Sequence, residues 1–231
     1  MRILLTNDDG IDAPGLEALA VAAARLGRAC VVVAPADPHS GCGHRVTTDR
    51  PLRVIPAGPG RFAVTGTPAD CVRIALAELA PDATLVLSGI NAGGNLGADI
   101  HHSGTVAAAR EAALHGRIAV AASHYRRSGG DIDWERAATW LELVFSTLPL
   151  GGEAPAAGSL WNVNLPDPPE GMGPPPIVEC PVDASPFALG YRMTDEGWRY
   201  AANYHDRPRM AQGDVALCFG GAITVSRLGL V

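Results

Sequence analysis

Within its first 35 residues the chain commits itself to a parallel sheet. Arg2 to Thr6 is a short apolar run. Pro14 to Leu26 then carries Leu16, Leu19, Ala20, Ala23 and Leu26 at helical spacing, Gly27 stops that pattern, and Ala29 to Ala34 is a second run rich in valine. A strand, a helix and a strand in so short a stretch predict a unit of the parallel-sheet type. The alternation continues. Thr67 before Pro68, with Asp70 three residues on, predicts a hydroxyl-capped helix to about Ala80, and Leu85 to Leu87 follows as a buried strand. Ser103 precedes an alanine-rich helix over Thr105 to His115 that stops at Gly116, and Ile118 to Ala122 is one more buried strand. The expected fold is α/β, a doubly wound, mostly parallel sheet with helices on both faces. In such a sheet, ligands sit in crevices beyond the carboxyl ends of the strands.

A helix from Asp133 to about Leu148 and a strand from Ser159 to Asn164 close this pattern. Pro166, Pro168, Pro169, Pro174, Pro175 and Pro176 then interrupt any regular element. From Ile177 to Val231 the apolar runs are shorter and no helix is evident, so the tail reads as antiparallel hairpins or an extended arm suited to packing on a partner subunit. The organisation expected is a single α/β domain over 1–231, with a core of about 1–165 and a proline-rich link and oligomerisation arm of about 166–231.

Composition excludes several functions. The chain has 47% hydrophobic and 18% charged residues, enough apolar matter for a core. It contains no lysine, which removes lysine nucleophiles, Schiff-base lysines and the P-loop lysine. A net charge of −6 offers no positive field for extended nucleic acid. Cys30, Cys42, Cys71, Cys180 and Cys218 are scattered, odd in number and without a C-x-x-C pair, so a reducing cytoplasm is expected rather than a disulfide framework. No stretch is long and apolar enough for a membrane span or a secretion signal.

Chemistry concentrates in the loops after strands. Thr6-Asn7-Asp8-Asp9-Gly10 puts adjacent acids at the end of the first strand. Two ionised carboxylates so close repel, and a bound hard cation is their natural compensation. The plainer alternative is that one caps the following helix and the other points to solvent. Pro38-His39-Ser40-Gly41-Cys42-Gly43-His44 lies after the second strand, where Ser40 could give a neutral oxygen to magnesium, calcium or manganese and His39 or His44 could serve a borderline metal. A flexible loop with surface histidines explains the same residues. Ser88 to Gly97 contains four glycines and two asparagines, Asn91 and Asn95, whose amide oxygens can ligate a hard ion, the plainer alternative being a long crossover loop with ordinary turn residues. Ser103-Gly104-Thr105 opens a helix, a ready phosphate site with hydroxyls as further donors, or simply an N-cap. Asp99, His101 and His102 precede it, and either histidine can protonate a leaving group, although a histidine in a polar loop is more often just solvated. There is no G-x-S-x-G elbow, no H-E-x-x-H helix and no dinucleotide fingerprint, and the acidic pair Asp8-Asp9 lacks D-x-D spacing, which disfavours serine hydrolases, zinc proteases, NAD oxidoreductases and aspartyl-nucleophile phosphatases.

Ile3 to Gly10, Ala13-Pro14-Gly15, Val33-Ala34-Pro35, Ser40-Gly41, Gly66 to Val72, Ser88 to Gly93, Asn95-Leu96-Gly97 and Ser103 to Ala109 together resemble the stationary-phase survival protein SurE family. Asn162 to Pro166 and Ile223-Thr224-Val225 are similar to its later landmarks. The resemblance implies a Rossmann-like core and a cytoplasmic phosphatase, dependent on one divalent ion such as magnesium or manganese, acting on nucleoside 5′- and 3′-monophosphates. It also implies an arm exchanged between subunits of a homodimer or homotetramer. By motif, Asp8, Asp9, Ser40 and Asn91 are the implied metal ligands, with Asp8 and Asp9 catalytic. Asn95, Ser103, Gly104 and Thr105 are the implied phosphate contacts. Cys42, Arg45 and His102 depart from the family pattern, and Arg45, a planar cation, can grip a second phosphate or stack on a base. The competing reading from another class is a non-catalytic nucleotide or phosphate sensor.

Overall fold

The computed structural model describes residues 2–127, 130–151, 158–168, 173–187 and 189–229. Pro169 of the proline cluster and the last two residues of the tail lie outside them. In chain order the elements are β1 (Arg2–Thr6), α1 (Pro14–Ala24), β2 (Cys30–Pro35), β3 (Val54–Pro56), β4 (Arg61–Val64), α2 (Pro68–Ile74) and β5 (Ala83–Asn91). There follow α3 (Gly104–Leu114), β6 (Ile118–His124), α4 (Trp134–Thr147), β7 (Ser159–Leu165), β8 (Ile177–Glu179), β9 (Tyr191–Thr194), β10 (Gly197–Tyr200), α5 (Asp214–Phe219) and β11 (Ile223–Gly229).

Nine strands form one sheet in the order β3-β4-β2-β1-β5-β6-β7-β11-β8, and β9 pairs β10 in a separate hairpin. From β4 to β7 every neighbour is parallel, whereas β3 and β11 run antiparallel to β4 and β7. Alternate side chains of each strand feed opposite faces. Ile3 and Leu5 join Leu16 and Leu19 of α1 and Leu141 and Val144 of α4, while Leu4, Val31 and Val33 join Val72 of α2 and Ala108 and Ala112 of α3. These two layers are the core expected of a doubly wound sheet.

The capping expected of α2 is present: the Thr67 hydroxyl accepts from the Asp70 amide, and the Asp70 carboxylate accepts from the Thr67 amide. The α-helix closes earlier than expected, at Ile74, and a π-helical turn carries the chain on from Ala75 to Leu79. The strand expected over Leu85 to Leu87 runs on to Asn91, through residues that read as a glycine loop. Its pairing with β6 shifts register between Ser88 and Asn91, which is how a strand accommodates them. The tail holds the expected antiparallel hairpin, β9–β10, and more than the hairpins or extended arm expected of it. It contributes β8 and β11 to the central sheet and contains the short helix α5, so the sheet extends past the proline link.

Candidate active site

β1 has β2 on one side and β5 on the other, so the chain reverses its direction of strand addition at β1. The crevice of an open α/β sheet lies at such a reversal, beyond the carboxyl ends. Asp8 and Asp9 follow β1 directly, Ser40 lies in the loop after β2, and Asn91 ends β5. The topology therefore delivers all four to one end of the sheet.

Asn7 shapes the turn that presents the acids. Its buried side chain donates to the Gly10 carbonyl at 2.8 Å and accepts from the Gly10 amide at 3.2 Å, and Gly10 takes a φ of +103° that few other residues tolerate. Neither acid caps α1: the cap position is Ala13, without a side-chain bond, followed by Pro14. The pair is thus left for another purpose.

Asp8 is almost fully buried. The Thr105 hydroxyl donates to its Oδ1. Burial pushes the Asp8 carboxyl up to about 6, aided by the charge of Asp9 and opposed by bonds from the Thr105 hydroxyl and amide. Burial also raises Asp9, whose Oδ2 accepts from the Ala92 amide at 3.3 Å. Two carboxyls that both resist ionisation mark a place where a cation lowers the free energy.

The amino end of α3 closes on this pair. A Cβ on Gly104 would stand 2.7 Å from Asp8 Cβ and 2.9 Å from its Oδ2, so only glycine lets the helix approach so near. Ser103 caps the helix, its hydroxyl accepting from the Val106 amide at 3.0 Å. Its own proton stays available to a ligand. The Thr105 proton, expected to face a phosphate, is instead given to Asp8.

The loop carrying Ser40 is clamped at both ends. The His39 amide donates to the Asp8 carbonyl at 2.8 Å, and the Gly43 amide donates to the His102 carbonyl at 3.0 Å. Ser40 itself is exposed. His44 turns away from the acids and donates from Nε2 to Glu111 Oε2 at 2.6 Å, which removes it as a ligand beside Asp8. Asn91 donates from Nδ2 to the Gly93 carbonyl at 2.7 Å, leaving its Oδ1 as the atom to offer a cation. Asn95 is drawn inward, donating from Nδ2 to Ser123 Oγ at 2.7 Å, while its amide donates to Asn164 Oδ1 at 2.8 Å. His101 and His102 are exposed, and so is Arg45.

Among the described residues no three His, Cys, Asp or Glu side chains gather at metal-holding spacing. A cation here therefore relies on two carboxylates completed by neutral oxygens, a donor set that suits a hard ion. Sequence reasoning passed over Asn7 as a turn clamp, Ser123, Asn162 and Asn164 as the floor under Asn95, and Glu111. The Asn162-Val163-Asn164 alternation was the available signal for the floor, since polar residues two apart on a buried strand need partners.

The sequence profile of the family described as Survival protein SurE matches residues 3–180. The chain belongs to the SurE family. A Nostoc protein whose name gives it provisionally as a 5′-nucleotidase is 47% identical over 228 residues, 99% of both chains. The 5′-nucleotidase SurE of Rhizorhabdus wittichii is 47% identical over 171 residues, 72% of this chain and 66% of the relative. The crystal structure of a SurE protein from Aquifex aeolicus superposes with a TM-score of 0.84 at 30% identity, covering 100% of this chain and 94% of the other. The SurE fold of the chain is thus supported by sequence and by shape together.

Proposed function

We propose that the Asp8–Asp9 crevice hydrolyses nucleoside 5′- and 3′-monophosphates to nucleoside and phosphate. The chain is a phosphomonoesterase, in keeping with relatives named 5′-nucleotidase. The observation that carries the site assignment is the pair of buried, ionisation-resistant carboxyls directly under the amino end of α3. Asp8, Asp9, Ser40 and Asn91 would hold one divalent ion, magnesium or manganese. When bound, such an ion polarises a phosphoryl oxygen and lowers the pKa of water.

The chain's own residues supply positioning. The Gly104 amide and the Ser103 hydroxyl donate to phosphate oxygens at the positive end of α3, where a developing charge is stabilised without reorganisation. Asn95 fixes the loop beside them through Ser123. Thr105 holds Asp8 by Oδ1, so that Oδ2 faces the reaction and either takes a proton from water or attacks phosphorus. Hydrolysis of a monophosphate made chiral at phosphorus separates those two roles, because a single attack by water inverts the phosphorus and a phosphoaspartyl intermediate, with its two displacements, retains it. His101 or His102 protonates the departing alkoxide.

The exposed Met193 and Trp198 of the β9–β10 hairpin are read as the subunit contact of a homodimer or homotetramer, the arm belonging to a single α/β domain. Its cysteines are all free, as a reducing cytoplasm requires, and among the described residues no helix is long and apolar enough to cross a membrane.

The test is phosphate release from nucleoside monophosphates with manganese or magnesium. Release should fall by about a hundredfold or more in Asp9→Asn, with the circular dichroism spectrum unchanged. Calorimetry of chelator-stripped protein should show heat on adding manganese. Binding of nucleotide without turnover under every divalent ion would favour the sensor reading instead.

A further inference from the structure

Beside the amino end of α3 the surface opens into a cleft of about 360 Å³ lined by Asp99, His102, Phe187, Leu189, Tyr200 and Tyr204. We propose that this cleft holds the substrate's nucleobase, clasped by its π-face between aromatic rings. The inference rests on the phosphomonoesterase reading and adds what that reading lacks, a determinant of which monophosphate is taken.

Position is the first argument. His102 lines the cleft and immediately precedes Ser103, so a phosphate on Ser103 and Gly104 would have the cleft next to it, within reach of the attached nucleoside. Exposure is the second. Phe187, Leu189, Tyr200 and Tyr204 are 38%, 88%, 52% and 36% exposed, a cluster of large apolar groups that a soluble surface carries at a cost unless something covers it. The volume lies within the range of small-molecule sites, about 300–1,000 Å³.

The rings are also held in place before any ligand arrives. The Arg207 guanidinium lies over both rings, 4.4 Å from the Tyr204 ring centroid and 5.8 Å from that of Phe187. The Tyr204 hydroxyl donates to Asp99 Oδ2 at 2.6 Å, and the Phe187 ring stands 5.9 Å from His102 at a tilt of 42°. Asp99 Oδ2 also accepts from Arg207 at 3.0 Å and from the Leu96 amide at 3.2 Å. Asp99 Oδ2 is thus committed to the scaffold, and what the lining chiefly offers a base is ring faces. Recognition is then by stacking, which tolerates every base and favours the larger purine face.

The experiment compares kcat/KM for a purine nucleoside 5′-monophosphate and for ribose 5-phosphate, which lacks the base, in the same manganese buffer. The purine substrate should be preferred, and Phe187→Ala should cut that preference by about tenfold through KM, the scale of one lost stacking partner. Phe187→Tyr should restore it. A calorimetric titration with the nucleoside alone should weaken in parallel. A preference unmoved by Phe187→Ala overturns the assignment, as does one that follows Arg45→Ala and ignores Phe187. A changed sedimentation coefficient with intact selectivity also overturns it, and makes the cleft a contact between copies. If the wild type releases phosphate from neither substrate, the reading beneath fails, and the nucleoside titration still decides the cleft.

Discussion

At the scale of single residues the site depends on one missing methyl group. Gly104 lets the first turn of α3 rest against Asp8, so that the Thr105 hydroxyl and the helix dipole reach a carboxylate whose ionisation burial opposes. Adding a Cβ at 2.7 Å from Asp8 Cβ requires either the helix or the β1 turn to move. Gly104→Ala should therefore lower kcat/KM by about a hundredfold, the effect of a misplacement on the order of 1 Å. The fold itself should lose only about 1–3 kcal/mol, as over-packed sites do. Parallel measurements of phosphate release and urea unfolding check this, and an active Gly104→Ala enzyme would mean that the approach of α3 to Asp8 has no part in turnover.

At the scale of elements, α3 does more than present its amino end. Glu111, on its buried face, accepts from His44 at 2.6 Å and from His115 at 3.0 Å, with Arg73 at 3.6 Å. The Ser40 loop is thereby pinned to the helix whose amino end closes on Asp8. Burial pushes the Glu111 carboxyl up, but the bonds and charges of the two histidines outweigh it and hold it below its usual 4.5. A lowered folded pKa contributes stability that is present above 4.5 and lost as pH falls through the folded value. Glu111→Gln should cost about 1–2 kcal/mol near neutral pH. The gap to the wild type should close in acid. Urea unfolding across pH measures it, and a gap that widens on acidification contradicts the sign. The sequence made the elements around this helix legible because their apolar periodicity is local. Positions such as His44 were not legible, since its partner Glu111 is 67 residues away and nothing nearby requires it. The end of β5 was misread for a related reason. Gly89 looks like a turn residue, yet a Cβ there would sit 2.2 Å from the Ala122 carbonyl oxygen, so glycine answers to a neighbouring strand.

At the scale of the whole molecule, the segment before β11 is stitched to the core by buried acids. Asp214 accepts from the Gly97 amide at 2.9 Å and the Asp183 amide at 2.8 Å, and Asp183 accepts from the Met210 amide at 2.6 Å. Arg207 donates to Asp99 at 3.0 Å and to the Leu96 carbonyl at 3.1 Å. These bonds close over Leu96 to His102, the stretch that leads into Ser103. The tail read as hairpins or an extended arm is thus partly a brace for the stretch before Ser103, which local patterning could not reveal because every bond spans a long sequence separation. Arg207 and Asp99 are both buried, so breaking their pair leaves a charge without compensation. Arg207→Met should cost about 3–5 kcal/mol, whereas Asp99→Asn with Arg207→Met should recover part of that loss because the orphaned charge is gone. The carboxamide oxygen introduced by Asp99→Asn would still accept from the Tyr204 hydroxyl and the Leu96 amide. Unfolding of the wild type, both single variants and the double variant completes the cycle. If the two losses simply add, the two side chains act independently and the pairing itself adds nothing to the hold on the tail.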